Sequence, residues 1–231
     1  MKIDDKIIAT FLGLTVESKN WMMSPVERLT IVGLLSILRP QTALELGYKA
    51  GGCTEYLAQY SEKVWTVDMD ATVLESPGRF ANTIPLHMKT SEALCKLRNE
   101  GRHFQFALVD ADHSVEGACR DLQETILLAD VIVLHDASNP ECRRGYQRAL
   151  MNCNAYSNLD LVDGHLQSDG LWGGLGIVVP KLSATSISFL TSVKVANSAL
   201  LRDALDKAGN NPTSILTRCK SRLGLRTGGC V

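Results

Sequence analysis

Several features that would place a chain in a specialised class are missing from this sequence. No apolar run approaches the roughly 20 residues that a membrane-spanning helix needs. The 24 Lys and Arg residues nearly balance the 25 Asp and Glu residues, which leaves no net field to attract nucleic acid or an anionic membrane. We therefore expect a small-molecule partner, and neither a nucleic-acid nor a membrane partner.

The cysteines also lack a pattern. They are odd in number and scattered, and no two form a C-x-x-C pair, so neither a zinc site nor a redox centre is indicated. Free thiols are typical of a reducing compartment. The first residues, MKIDDKIIATFLGL, lack the basic start and long apolar core of a secretory signal. We expect a cytoplasmic protein.

What the sequence does contain is an alternation of short apolar runs and helix-length segments between residues 42 and 136, which predicts βαβ units and a parallel sheet. The last two runs are joined by the Gly-rich loop 167–174, so they should form a hairpin whose final strand is antiparallel. We predict an α/β fold: a doubly wound, Rossmann-like, mostly parallel seven-stranded sheet with helices on both faces. The predicted strands span residues 42–47, 63–70, 84–90, 104–112, 130–137, 159–166 and 175–181, and a helix is expected over 142–152.

The segments that flank this core suggest how the chain is divided. Ser24 and Glu27 have the spacing of a capping box, so a helix is expected over residues 24–38. We place one domain at residues 1–182, including N-terminal helices. Residues 183–231 form a C-terminal extension, Ser/Thr/Ala-rich and then basic, whose role stays open, with a homo-oligomer contact among the alternatives.

The sharpest local signal is the segment ELGYKAGGCTEYLAQ. In it a strand ends in Glu45 and Gly47, a turn holds Gly51, and a helix-compatible run follows. Glycines at such a junction let the backbone approach a ligand closely. A carboxylate just before the turn can pair with an ammonium group, but it would repel a dinucleotide pyrophosphate. The glycine spacing also differs from the G-x-G-x-x-G fingerprint, so S-adenosylmethionine (SAM) is favoured over NAD.

A second acidic position supports a nucleoside site. The second predicted strand ends in Asp68-Met69-Asp70, and Asp68 lies roughly 20 residues beyond the turn, where an acid typically receives the two ribose hydroxyls of a nucleoside. SAM and NAD both carry that ribose, so Asp68 does not separate the two cofactors by itself. Together with Glu45 and Gly47 it makes the pattern more specific.

At this point the sequence resembles a known family. The E-x-G-x-x-x-G turn, the VDMD strand end, VDADHSVEGACRDL (109–122) and VIVLHDA (131–137) are similar to class I SAM-dependent methyltransferases, over roughly residues 24–181. The D-x-D-H-S motif resembles the small-molecule, O-methyltransferase-like branch of that class, the methyltransferase 24-like family. The resemblance implies SAM as cofactor and an antiparallel last strand, but no particular acceptor.

The resemblance also implies roles for individual residues in binding SAM. Glu45, Gly47 and Gly51 look like the loop around its methionine part. Asp68 looks like the ribose carboxylate, with Met69 beside the adenine.

Two further positions follow from the same resemblance. Ser91, after the third strand, stands where the family often contacts the adenine edge. It can equally mark a helix N-terminus. Asp110 stands at the mouth of the site.

Candidate catalytic residues follow from the chemistry. Methyl transfer from a sulfonium is an in-line displacement, so the protein must position the acceptor and remove its proton. His113 follows the fourth predicted strand, while His135 and Asp136 end the fifth, and parallel strands bring these ends to one crevice. An imidazole beside a carboxylate can act as general base near neutral pH. We name His113, His135 and Asp136, while a structural hydrogen-bonded pair stays the alternative for each histidine.

A metal-assisted variant is also worth weighing. Catechol and caffeoyl-CoA O-methyltransferases have a similar layout in which a divalent ion holds the acceptor oxygens. Their ligand set matches here at Asp110 and Asp136, but Ala137 replaces their Asn, and Asn139 lies further along the chain. Two carboxylates can still hold Mg²⁺. The ion is therefore allowed but not favoured, and we assign no metal ligand.

These observations predict a SAM-dependent methyltransferase that acts on a small-molecule acceptor, with a hydroxyl as the favoured acceptor group, and releases S-adenosylhomocysteine (SAH). Two alternatives stay open. An NAD-dependent oxidoreductase is disfavoured by the glycine spacing and by Glu45. A catalytically inactive SAM-binding module would bind cofactor yet tolerate the loss of His113 and His135.

Overall fold

The structure is a computed structural model, and it describes residues 21–71, 80–151, 153–167 and 170–182. The predicted C-terminal extension lies outside these residues. The strands are β1 (Thr42–Leu46), β2 (Lys63–Asp68), β3 (Thr83–His87), β4 (Phe104–Val109), β5 (Ala129–Leu134), β6 (Tyr156–Val162), β7 (His165–Gln167), β8 (Gly170–Trp172) and β9 (Leu175–Pro180). The helices are α1 (Pro25–Leu38), α2 (Thr54–Tyr60), α3 (Thr90–Asn99), α4 (Val115–Ile126) and α5 (Pro140–Leu150).

The predicted seven-stranded sheet is confirmed, in the order β3-β2-β1-β4-β5-β9-β6. Strands β1 to β5 pair in parallel. Strand β9 runs antiparallel to both of its neighbours, β5 and β6. The hairpin argument from the sequence is therefore correct about the direction of the last strand. Strand order reverses between β1 and β4, and a ligand crevice of an open α/β sheet forms at such a point.

Helices cover both faces of the sheet. Buried residues of α1 and α2 pack on one face, and those of α3, α4 and α5 pack on the other. Adjacent residues of β1 show the division, since Ala43 packs in the first cluster and Leu44 in the second. Both are fully buried, as expected of a parallel strand that is covered on two faces.

At the starts of α1 and α5, side chains accept hydrogen bonds from backbone N–H groups that the helix leaves free. The predicted capping box of α1 is present: Ser24 Oγ accepts a hydrogen bond from the Glu27 N–H at 3.3 Å, and Glu27 Oε2 accepts one from the Ser24 N–H at 2.6 Å. Helix α5 begins two residues before its predicted start, because Asn139 Oδ1 accepts from the N–H groups of Glu141 and Cys142. None of the described helices is long and apolar enough to cross a membrane.

The region before β9 differs from the prediction. A single strand was expected over residues 159–166, followed by a loop. Instead β6 ends at Val162, and a separate two-stranded sheet of β7 and β8 follows it. The difference matters because the turn after β8 reaches the ligand crevice.

Candidate functional site

A cavity of about 940 Å³ opens at the carboxyl ends of β1, β2, β4 and β5. This is where the topology places ligands in open α/β sheets. All the site residues that the sequence predicted, except Gly51, line this cavity: Glu45, Gly47, Asp68, Met69, Ser91, Asp110, His113, His135 and Asp136.

Glu45 is a buried carboxylate on the cavity wall, with only 1% of the residue exposed. Its Oε2 accepts a hydrogen bond of 2.5 Å from Thr54 Oγ1. Its Oε1 has no hydrogen-bond partner among the described residues. Burial, aided by the charges of Asp110 and Asp68 and opposed by the Thr54 hydrogen bond, raises the pKa of Glu45 to about 8. A ligand ammonium would supply the missing donor and restore the charged form.

Gly47 lets the chain pass close to the strand end next to it. Its φ is +93°, and a Cβ at this position would lie 1.9 Å from the Asp110 carbonyl oxygen. No other residue fits there without moving β1 away from β4. Gly51 also has a positive φ, but it lies outside the cavity wall, where a Cβ would meet the ring of Tyr48. Gly51 therefore shapes the turn itself.

Asp68 has a structural role that the sequence did not predict. Its Oδ2 accepts hydrogen bonds from the backbone N–H groups of Tyr48 at 3.0 Å and Lys49 at 2.9 Å, and so holds the loop between β1 and α2. Its Oδ1 accepts from the Asp70 N–H at 2.9 Å. A carboxylate has about four acceptor positions. Asp68 can therefore hold the loop and still receive a ligand hydroxyl.

Met69 and Ser91, the two positions expected near an adenine, both line the cavity. Met69 is 70% exposed and lines the cavity. Ser91 lies in the first turn of α3 and also lines the cavity. The two alternatives for Ser91, helix start and ligand contact, are thus compatible.

Five ionisable side chains meet at the ends of β4 and β5. We call Glu27, Asp110, His113, His135 and Asp136 the acid–imidazole cluster. His135 Nδ1 lies 3.0 Å from Asp110 Oδ1 and 3.2 Å from Asp136 Oδ2. His113 Nε2 lies 3.2 Å from Asp136 Oδ2 and 3.6 Å from Asp110 Oδ1. Both histidines therefore lie against the same pair of carboxylates, as the convergence of strand ends predicted.

The two histidines differ in exposure. The side chain of His135 is 8% exposed and that of His113 is 43% exposed. Burial opposes the charged form of His135, but Asp110, Asp136 and Glu27 outweigh it and raise the pKa of His135 well above the ordinary range. The interactions of His113 with Asp110 and Asp136 outweigh its burial and raise its pKa as well. His135 is therefore a buried cation, while His113 faces the open cavity.

Two carboxylates of the cluster, Asp110 and Glu27, are held in their charged form. Burial alone would raise the pKa of Asp110, but the charges and hydrogen bonds of His135 and His113 lower it to about 2. The same balance, burial against the interaction with His135, lowers the pKa of Glu27 to about 2. Glu27, Asp110 and His135 therefore form ion pairs at neutral pH.

Sequence reasoning treated Glu27 only as a helix cap. It is 1% exposed and lines the cavity. Its Oε1 accepts a 2.6 Å hydrogen bond from the Gly174 N–H and lies 3.6 Å from His135 Nε2. No local signal could reveal this, because the partners lie 147 and 108 residues away along the chain.

A subset of the cluster has the spacing of a metal site. The ligand atoms of Asp110, His113 and Asp136 all lie within 4.8 Å of one another. A nitrogen and two carboxylate oxygens suit a divalent transition metal as well as Mg²⁺. Asn139 does not join this group, since its side chain caps α5. His113 therefore supplies a third candidate ligand, which Ala137 cannot provide.

Large apolar side chains also line the cavity. The Trp172 ring meets the His113 ring edge to face, with 5.7 Å between centroids. Trp21 and Met23 line the cavity as well, and Trp21 stacks on Tyr56 at 4.6 Å. The acid–imidazole cluster is therefore bordered by apolar, partly aromatic surface.

The seven-stranded mixed sheet with helices on both faces matches the Rossmann-like methyltransferase fold. No protein-family model and no curated protein matches the sequence of this chain.

Solved structures do match this fold. An O-methyltransferase from Bacillus cereus in complex with SAH has a TM-score of 0.57 and 18% identity, covering 78% of this chain and 92% of that one. The O-methyltransferase TomG from Streptomyces achromogenes, in complex with SAM, has a TM-score of 0.56 and 14% identity with the same coverage. An rRNA methylase from Streptococcus thermophilus has a TM-score of 0.52 and 10% identity, covering 70% of this chain and 100% of that one. At these identities the likeness establishes the fold and leaves the acceptor open.

Proposed function

We propose that this protein is a SAM-dependent methyltransferase that transfers a methyl group to a hydroxyl of a small-molecule acceptor. The observation that carries the proposal is one cavity lined by two kinds of group. The loop around Glu45, Gly47 and Asp68 suits a nucleoside with an ammonium group. The acid–imidazole cluster beside it suits deprotonation of an acceptor.

The residues of the loop fit SAM. Glu45 Oε1, which has no hydrogen-bond partner within the described part of the chain, matches the methionine ammonium. The side chain missing at Gly47 leaves room for close approach to the backbone. Asp68 is placed to receive ribose hydroxyls at the end of β2. Bound SAM would supply an electrophilic methyl group on its sulfonium. The likeness to structures that hold SAM or SAH supports this assignment at the level of the fold.

We assign proton removal to His113 and give His135 a different role from the one the sequence suggested. In the neutral form of His113, a proton on Nε2, which lies 3.2 Å from Asp136 Oδ2, leaves Nδ1 as the proton acceptor. His135 is buried, and both of its nitrogens face carboxylates. It therefore acts as a fixed positive charge that holds Asp110 and Asp136 in place while His113 takes the proton of the acceptor hydroxyl.

A small acceptor agrees with the size of the cavity. Pockets for drug-sized ligands measure roughly 300–1,000 Å³, so a cavity of about 940 Å³ suits the cofactor and a compact second molecule. Trp172 beside His113 would form one wall of the acceptor part.

The test is acceptor-dependent formation of SAH from SAM, measured over a panel of hydroxylated small molecules. We expect turnover with at least one compound class, and none with NAD in place of SAM. An inactive SAM-binding module would bind SAM yet form no SAH with any acceptor. Reduction of NAD by a candidate substrate would favour the oxidoreductase alternative.

A metal-assisted reaction is a second candidate, and the Asp110, His113 and Asp136 grouping favours it. In that case His113 would be a ligand and could not also accept the proton. Calorimetric titration of the chelator-treated protein with Mn²⁺ and Mg²⁺ separates the two cases. Saturable binding of the metal by the wild type, lost in Asp136→Asn, supports a metal site. Titration heats of the wild type that equal those of Asp136→Asn exclude it.

A further inference from the structure

Glu27 makes contacts in the cavity that helix capping alone does not explain. A capping box uses one carboxylate oxygen, and here Oε2 accepts from the Ser24 N–H. The other oxygen, Oε1, is turned toward the cavity, where it accepts from the Gly174 N–H at 2.6 Å and faces His135 Nε2 at 3.6 Å. A capping glutamate is ordinarily solvated, whereas only 1% of Glu27 is exposed.

The turn that Glu27 contacts is held from two sides. The Gly173 N–H donates to Asp136 Oδ1 at 2.6 Å, and the next N–H, that of Gly174, donates to Glu27. The carbonyls of the same two glycines accept from the N–H groups of Ala137 and Ser138. The turn is thus attached to α1 through the Gly174 N–H, and to the segment after β5 through the Gly173 N–H and both carbonyls.

The turn also requires glycine and packs closely against Ser138. Gly173 and Gly174 both have positive φ, and a Cβ on Gly174 would lie 2.4 Å from Ser138 Oγ. Trp172 directly precedes the turn, and its ring contacts His113. A shift of the turn would therefore move the wall beside the proposed base.

We infer that Glu27 is a positioning residue, which with His135 forms a buried link between α1, the Asp110–Asp136 carboxylates and the Gly173–Gly174 turn, and so sets the acceptor side of the cavity. This inference rests on the proposed function for its catalytic consequence only. The link itself is a structural statement about Glu27, Gly174 and His135, and it can be tested without any substrate.

The chain offers a matched control. Ser24→Ala removes the hydroxyl that caps α1 and leaves the Glu27 carboxylate in place. Glu27→Ala removes both the cap and the link. Glu27→Gln keeps the size of the side chain, but its single acceptor oxygen cannot serve Ser24 and Gly174 together. A residue that only caps the helix would give the same result in Ser24→Ala and Glu27→Ala.

The first measurement is amide hydrogen exchange of Gly173 and Gly174 in the unliganded proteins. We expect Gly174 exchange to accelerate at least about tenfold in Glu27→Ala, because loss of its acceptor opens the turn locally. Ser24→Ala should leave it near the wild-type rate after correction for global stability. Equal protection of Gly174 in the two variants would overturn the link, whatever reaction the protein catalyses.

The second measurement separates positioning from stability. With an active acceptor, Glu27→Gln should leave the SAM Kd within about twofold but lower kcat/KM for the acceptor by about 10- to 100-fold, since misplaced groups lose the productive geometry. An acceptor kcat/KM equal to that of Ser24→Ala would overturn the positioning role. Should no acceptor be turned over by the wild type, the proposed function fails while the exchange result still decides the link.

Discussion

His113 and His135 lie against the same carboxylates but differ in their surroundings, and the roles that we propose for them follow this difference. His135 is buried among three carboxylates, which stabilise its charge. His113 is partly exposed at the cavity and has a carboxylate on one nitrogen. The difference between them is one of environment, as is usual where identical residues perform different roles at one site.

This difference leads to a mutational prediction. His113→Gln should lower kcat by about 10²- to 10⁴-fold, the usual contribution of a general base, without changing SAM affinity measurably. His103→Gln is the matched control, because His103 pairs with Asp130 in an exposed position outside the cavity. Steady-state kinetics and SAM titration check both variants. Wild-type turnover in His113→Gln would remove His113 from the mechanism.

The buried Glu27 predicts a dependence of stability on pH. Its folded pKa, about 2, lies below the ordinary 4.5 because of its interaction with His135. The unfolded state therefore binds the proton first as pH falls, and the stabilisation, on the order of 3 kcal/mol, is present above about pH 4.5 and lost toward pH 2. Urea unfolding from pH 6 to 2 should show a smaller loss of stability in Glu27→Gln. Parallel curves for the two proteins would contradict the assignment.

At the scale of elements, the glycine turn after β1 makes the tightest demand on the backbone. Gly47→Ala should abolish measurable SAM binding and destabilise the fold by about 2–4 kcal/mol, because the new Cβ meets the Asp110 carbonyl in a left-handed conformation. Gly33→Ala on α1 is the control: its Cβ would have no heavy atom within 4 Å among the described residues, and alanine favours a helix. SAM affinity of Gly47→Ala equal to that of the wild type would show that cofactor binding does not depend on the close contact between Gly47 and Asp110.

The elements also show what the sequence could predict. Polar residues at the ends of apolar runs correctly placed Glu45, Asp68, Asp110 and Asp136 at one crevice, because parallel strands all end on the same side. The separate hairpin of β7 and β8, the attachment of the Gly173–Gly174 turn and the contacts of Glu27 in the cavity were not predictable. Each depends on contacts between residues far apart in the chain, for which periodicity and local spacing carry no signal.

At the scale of the whole molecule, the reversal of strand order between β1 and β4 creates the crevice, and α1 and the turn after β8 close it from the side. Binding of a ligand in that crevice should stabilise the whole domain by mass action. The fold is shared with methyltransferases that act on different acceptors, so the loops around the crevice, and not the sheet, must determine the acceptor.

The central claim is that this crevice binds SAM, and calorimetric titration with SAM and SAH, beside NAD, tests it most directly. We predict saturable binding of both sulfur nucleosides and none of NAD. Asp68→Ala should weaken SAM binding by about 10- to 100-fold through lost charged hydrogen bonds, while Asp130→Ala, at an exposed site outside the cavity, should not. Absence of binding to both SAM and SAH in the folded protein would contradict the claim and leave the fold alone established.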